Sequence, residues 1–195
     1  MPRTFLALLA LTAATSLSAP AAADESAVGR AERHAGSVTA RTSDDGVHVR
    51  LDGVITPKMG RRFAEILEAV PAGTPITLEL DSPGGFTAPG YAMIDALTAR
   101  RAAGTPVTTR VRGGAACESM CVGLFMAGGR REAEPGAVFM VHSPRSARTG
   151  FVSLRAAREM SQRLQSLGAA PDWIRRVTAA GAFSGAVDHT ETPEE

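Results

Sequence analysis

Ile76-Thr77-Leu78-Glu79-Leu80-Asp81-Ser82-Pro83-Gly84-Gly85 reads as a short apolar strand, Ile76 to Leu80, running straight into a turn built from Asp81 to Gly85. Downstream the period changes. Met93, Ile94 and Leu97 recur at helical spacing, and that helix ends near Gly104. Val107 to Val111 is the next strand, Gly113-Gly114 the next turn, and Met120 to Met126 a helix apolar on every side, which must therefore be buried. A fourth strand, Val138 to Val141, ends at His142. An Arg-rich amphipathic helix spans about Ser153 to Leu167, and Pro171 to Thr178 forms another. Upstream, Val38 and Ala40 alternate on one side of Ser43-Asp44-Asp45-Gly46, and Val47, Val49 and Leu51 on the other, the pattern of a hairpin turned at Asp-Gly. Thr56-Pro57 then caps a helix carried by Met59, Phe63, Ile66, Leu67 and Val70 until Pro71 and Gly73 stop it. Strands alternating with helices through short Gly-rich turns predict an α/β fold with a mostly parallel sheet covered by helices.

Composition narrows the classes. The 195 residues carry 21 Lys plus Arg against 20 Asp plus Glu, with 44% apolar residues, so the net charge of +1 and the apolar content exclude a chain dominated by disorder. That balance also gives no basic face for nucleic acid. Lys58 is the only lysine, a bias of composition and not a site.

Residues 1–23 read as a signal peptide: Arg3 is the positive start, Phe5 to Leu17 the apolar stretch, and Ala21-Ala22-Ala23 the small residues before Asp24. The apolar stretch is too short to span a bilayer, and no later segment reaches 18 apolar residues. The chain is thus expected to be exported, periplasmic or secreted, without a stable membrane span, in a milieu without ATP or coenzyme A and oxidising for cysteine. The remaining layout is a polar segment with the start of a hairpin over 24–46, one α/β domain over 47–187, and an acidic, solvated tail over 188–195.

In parallel sheets, ligands gather where strands end. Three strand-end turns carry reactive groups. Ser119 stands where a Gly-rich turn becomes a buried helix, as a nucleophile or as a helix cap. His142 ends a strand, as a general base or as a histidine bonded to a carbonyl. Gly84-Gly85 can bring backbone N–H groups to a substrate carbonyl, or simply turn the chain. Cys117 and Cys121 bracket Ser119; they read as a disulfide if Cys117 precedes the helix, as two buried thiols, or with His142 as an incomplete zinc set. The stripe Arg155, Arg158, Arg163, Arg175 and Arg176 reads as a wet helix face, or a surface for an acidic partner or envelope lipid.

Taken in order, Leu80-Asp81-Ser82-Pro83-Gly84-Gly85, then Ala115-Ala116-Cys117-Glu118-Ser119-Met120 with Ala127-Gly128, then Pro135 and Val138-Phe139-Met140-Val141-His142-Ser143-Pro144 resemble the Clp protease proteolytic subunit. The resemblance is to the ClpP/crotonase superfamily, and it runs over about Leu51 to Phe183. The resemblance implies a spiral of β-β-α units, a serine peptidase acting on peptides or unfolded segments, no cofactor, and a homo-oligomer. It implies Ser119 as nucleophile, His142 as general base, and the N–H groups of Gly85 and Met120 as the oxyanion hole. The register sets Val177 where the family's triad Asp belongs, so Asp172 or Asp188 must be brought to His142 if a carboxylate is to orient it. The Ser-Lys branch of the superfamily offers Lys58 as base, but no motif of that branch surrounds it. The stretch from Gly128 to Pro135 is about two residues shorter than in the Clp subunit, and the family's handle segment has no counterpart after Pro144. Acyl-CoA chemistry of the crotonase type fits poorly with export. The same residues also allow a catalytically silent peptide-binding or partner-binding protein.

Overall fold

Gly46, at φ 131°, lets the chain reverse where a Cβ would lie 2.3 Å from the Pro75 carbonyl oxygen. The computed structural model describes residues 36–146 and 148–193. Residues 1–23, where a signal peptide is expected, residues 24–35, Ala147 and the last two acids of the tail lie outside the described residues.

Strands β1 (Ser37–Ser43) and β2 (Gly46–Asp52) form the antiparallel hairpin, in register from Ser37 opposite Asp52 to Ser43 opposite Gly46. At the turn, Ser43 donates to the Asp45 carboxylate and His48 bonds it at 2.9 Å; together they hold that carboxyl down at about 2. The hairpin is continuous with the domain, since β2 pairs in parallel with β3 (Ile76–Asp81), β3 with β4 (Val107–Val111), and β4 with β6 (Arg130–Ala133). The order is β1-β2-β3-β4-β6.

Two crossovers are α1 (Pro57–Ala69) and α2 (Thr87–Ala102). Thr56 caps α1 by accepting from the Met59 N–H at 3.2 Å, and Pro57 supplies a preset φ in the first turn. The inward residues of the strands, including Val49, Leu51, Leu78 and Leu80, join Phe63 and Leu67 of α1 and Met93 and Leu97 of α2 in one buried core. Each fully buried side chain of this size contributes about 1.5–3 kcal/mol.

The helices cover one face of the sheet. The other face carries a lateral row of alternating charge, Arg50 beside Glu79, Glu79 beside Arg110, and Arg110 beside Glu132. Arg112 also reaches Glu79 at 2.5 Å. Partial burial pushes the Glu79 carboxyl up, but Arg112 and Arg50 outweigh it and leave it below the usual range.

A second sheet, β5-β7-β8, is made of β5 (Ala116–Glu118), β7 (Val138–Val141) and β8 (His189–Glu191). It is stitched to the first where Ser82 N–H donates to the Ala116 carbonyl at 2.7 Å and Glu118 N–H to the Ser82 carbonyl at 2.9 Å. The remaining elements are α3 (Met120–Met126), α4 (Leu154–Ser166), α5 (Pro171–Ala179) and a 3-10 turn, Ala182–Ser184. No helix among the described residues is long and apolar enough to cross a membrane.

The expected solvated tail is corrected here: residues 189–191 pair antiparallel with 139–141. Glu191 accepts from Trp173 Nε1 at 2.5 Å and from Arg176 at 2.8 Å, and lies 2.9 Å from His189. Burial raises its carboxyl, but these three partners win and hold it below its ordinary value of 4.5. An acidic segment docks because its one inward carboxylate is fully partnered.

Candidate active site

The chain turns from β5 into α3 at Ser119, with φ 54° and ψ −118°. Among the described residues it is the one non-glycine at positive φ. Such a conformation costs about 1–3 kcal/mol and persists only where its surroundings over-determine it. Here they do. Ser119 N–H donates to the Met140 carbonyl at 2.7 Å, and its carbonyl accepts from Val122 N–H at 3.1 Å. Cys117, at the middle of β5, is joined by a disulfide to Cys121 in the first turn of α3, with Cα atoms 5.1 Å apart. The two cysteines are not on one regular helical turn, because the chain reverses between them at Ser119. Bonded to each other and wholly buried, the sulfurs are not thiolate ligands, so the zinc reading with His142 is set aside.

Gly84, at φ 82°, presses against this elbow, and Gly85, at φ 153°, against the backbone of Ile55. A Cβ on Gly84 would fall 2.7 Å from both the Glu118 oxygen and the Ser119 Cβ; one on Gly85 would fall 2.3 Å from the Ile55 oxygen. Only glycine fits either place. Ile55 N–H donates to the Gly84 carbonyl at 2.8 Å and Phe86 N–H to the Ile55 carbonyl at 2.9 Å. In a parallel bridge of this kind, the residue between two bonded neighbours points its own N–H the other way, so the Gly85 N–H faces away from Ile55. Met120 opens α3, where an N–H has no acceptor within the helix. The turn is pinned by a residue that sequence reading passed over: buried Ser82 donates to the Gly53 carbonyl at 2.7 Å and accepts from Gly84 N–H at 3.0 Å. A serine two residues before a Gly-Gly pair is the available signal for such a turn.

His142 follows the end of β7. Glu118 and Met140 are paired across β5 and β7, so Ser119 and His142 stand one and two residues past a shared rung. On the other side Val141 faces His189, and continuing that antiparallel register sets residue 142 opposite residue 188. His142 Nδ1 lies 4.0 Å from Asp188 Oδ1. That is ion-pair reach, and longer than a direct hydrogen bond. Next in the chain, buried Ser143 ties the strand end down by donating to the Ala182 carbonyl at 3.0 Å. Val177 is wholly buried in α5, while Asp172 is exposed and paired with Arg175. Of the two carboxylates open to this role, Asp188 is the one the fold brings to His142.

Gly85, Ser119, Met120 and His142 line one cleft of about 670 Å³, together with Pro83, Phe86, Arg145 and Arg148 among others. Lys58 is exposed on α1 and does not line it.

Fold and cleft define the class, and comparison with known families agrees. Residues 46–178, more than half of the chain, match the family described as Clp protease, and the chain belongs to that family. Over 78 residues it is 40% identical to the ATP-dependent Clp protease proteolytic subunit 1 of Chlamydia muridarum, covering 40% of this chain and 39% of that protein. The subunit 1 proteins of Chlamydia pneumoniae, 38% identical over 39% of its length, and Protochlamydia amoebophila, 37% over 36%, match the same share of this chain. The chain thus spans about two fifths of the curated relatives it matches.

Proposed function

We propose that this protein is an exported serine peptidase of the Clp type that hydrolyses peptides or unfolded segments. The observation that carries the reading is Ser119, held at positive φ in the same cleft as His142 and two backbone N–H groups. Ser119 Oγ attacks the scissile carbonyl carbon while His142 Nε2 takes its proton. The carbonyl oxygen, now an oxyanion, is held by the N–H groups of Gly85 and Met120. The C–N bond breaks as His142 returns the proton to the leaving amine. Water then attacks the acyl-enzyme, giving a proton to His142, and collapse frees the acid and restores Ser119. Asp188, on the Nδ1 side, keeps Nε2 directed at the serine and steadies the imidazolium. The disulfide supports an oxidising compartment, and so export. Self-association in the manner implied by the Clp resemblance belongs to the same reading.

The test is a fluorophosphonate probe on the mature protein, read by intact mass. Labelling that Ser119→Ala and His142→Ala both abolish is the expected result. An unlabelled, folded wild type would replace this reading with a silent peptide-binding protein, the alternative that Val177 favours.

A further inference from the structure

The fixed charges that line the cleft are of one sign, with Asp188 outside the lining, 4.0 Å from His142. Arg145 and Arg148 line the cleft, and no carboxylate does. Elsewhere arginines hold acids: Arg50 and Arg112 on Glu79, Arg110 on Glu132, Arg163 on Asp95. Among the described residues, neither Arg145 nor Arg148 has an ion pair or a side-chain hydrogen bond. The backbone that carries Arg145 is nonetheless fixed. Arg145 bridges Val152 in antiparallel fashion, Ser146 N–H donates to the Phe151 carbonyl at 2.9 Å, and Ser153 N–H to the Pro144 carbonyl at 3.0 Å. Val152 in turn packs on the turn at Gly185, where an added Cβ would lie 2.5 Å from its Cγ2. A short hairpin anchored at its base therefore carries two guanidiniums that line the cleft, Arg145 three and Arg148 six residues beyond His142. Walls of apolar side chains with charge of a single sign focus the field into a cleft. A planar guanidinium matches a carboxylate with two parallel hydrogen bonds.

We infer that this cleft selects peptides bearing a carboxylate near the scissile bond, with Arg145 and Arg148 as the specificity residues. The inference rests on the peptidase reading for the meaning of "scissile", and deepens it by naming the substrate class. The carboxylate is either an acidic side chain or the peptide's own C-terminus.

The experiment uses the Ser119→Ala protein, which binds without cleaving, and three fluorescent peptides of equal length: neutral with an amidated end, the same with one internal Glu, and neutral with a free carboxyl end. Anisotropy titrations give the affinities. At least one carboxylate peptide is expected to bind about fivefold tighter than the neutral amide, the sum of two partly exposed ion pairs. The advantage shrinks in high salt and falls to about one when Arg145→Gln and Arg148→Gln are added, with the thermal midpoint of that variant confirming its fold. Which of the two peptides gains separates side chain from terminus. Equal affinity for all three, or an advantage that survives the double arginine change, overturns the inference. Fluorophosphonate labelling of the wild type reports separately on the peptidase reading: binding preference without labelling leaves the cleft's selectivity standing on a silent binder, and labelling without preference leaves an unselective peptidase.

Discussion

Ser119 shares a cleft with His142, Asp188 lies 4.0 Å from the same histidine, and the two are held by opposite means. Ser119 is caught in buried backbone: a bond to Met140, Gly84 pressed against it at contact distance, and a disulfide across it. Asp188 stands just before a three-residue strand with 59% of its side chain exposed, 4.0 Å from His142. The serine side is held rigidly, whereas the carboxylate side relies on one docked strand. Because the carboxylate comes from a different element than the helix that carries Val177, the two halves can be perturbed separately.

The largest effect is expected from breaking the rigid half. Gly84→Ala forces a Cβ into the Glu118 carbonyl and Ser119 itself, and should cut the rate of fluorophosphonate acylation on the order of a thousandfold, by displacing both the serine and the Gly85 N–H. A stable, fully reactive variant would mean the glycines merely turn the chain. Asp188→Asn should lower kcat on the order of a hundredfold with KM and the thermal midpoint little changed, less than for a buried, directly bonded triad carboxylate because this one is exposed and longer. Steady-state kinetics decide it; an unchanged kcat would remove Asp188 from the mechanism. Replacing Cys117 and Cys121 together by Ala should cost about 2 kcal/mol in a denaturant titration, given the short loop, and about tenfold in acylation as the elbow relaxes. Acylation that stays at the wild-type rate would show that backbone bonds alone hold Ser119.

The smallest effect is a pH dependence confined to the looser half. The Glu191 carboxyl is held below its ordinary value of 4.5, so its contribution to docking β8 is complete above that pH and is lost as the pH falls through its lowered folded-state value. Trp173, the single tryptophan, donates to Glu191, and its fluorescence should report the release. A signal that is flat from pH 6 to the global acid transition would show that β8 docks without Glu191.

What the chain discloses to a reader of its letters follows the same divide. Strands β3, β4 and β7 and helices α1, α3 and α5 are apolar runs or stripes bounded by Gly and Pro, and they stand within a residue or two of where periodicity puts them. Ala116–Glu118, Arg130–Ala133 and His189–Glu191 carry no such pattern, because all are too short for alternation and the last two are mostly polar, and their strand character comes from their neighbours. The elements that supply Ser119, Gly84-Gly85 and His142 are legible, so those turns can be marked in advance, whereas Met120 is singled out only by the resemblance to the Clp subunit. Asp188 cannot be told from Asp172 beforehand: the choice depends on β8 pairing with β7, and that depends on Glu191 finding Trp173 and Arg176.

The strand that hides best also has a second task. β6 is an edge of the five-stranded sheet, and an uncovered row of backbone donors and acceptors invites a foreign strand to add on. Its Arg130-Arg131-Glu132 sequence, engaged with Arg110 and Met126 beside it, makes that docking electrostatically unwelcome. The charges that keep Arg130–Ala133 from looking like a strand are the ones that guard the protein against edge-to-edge aggregation.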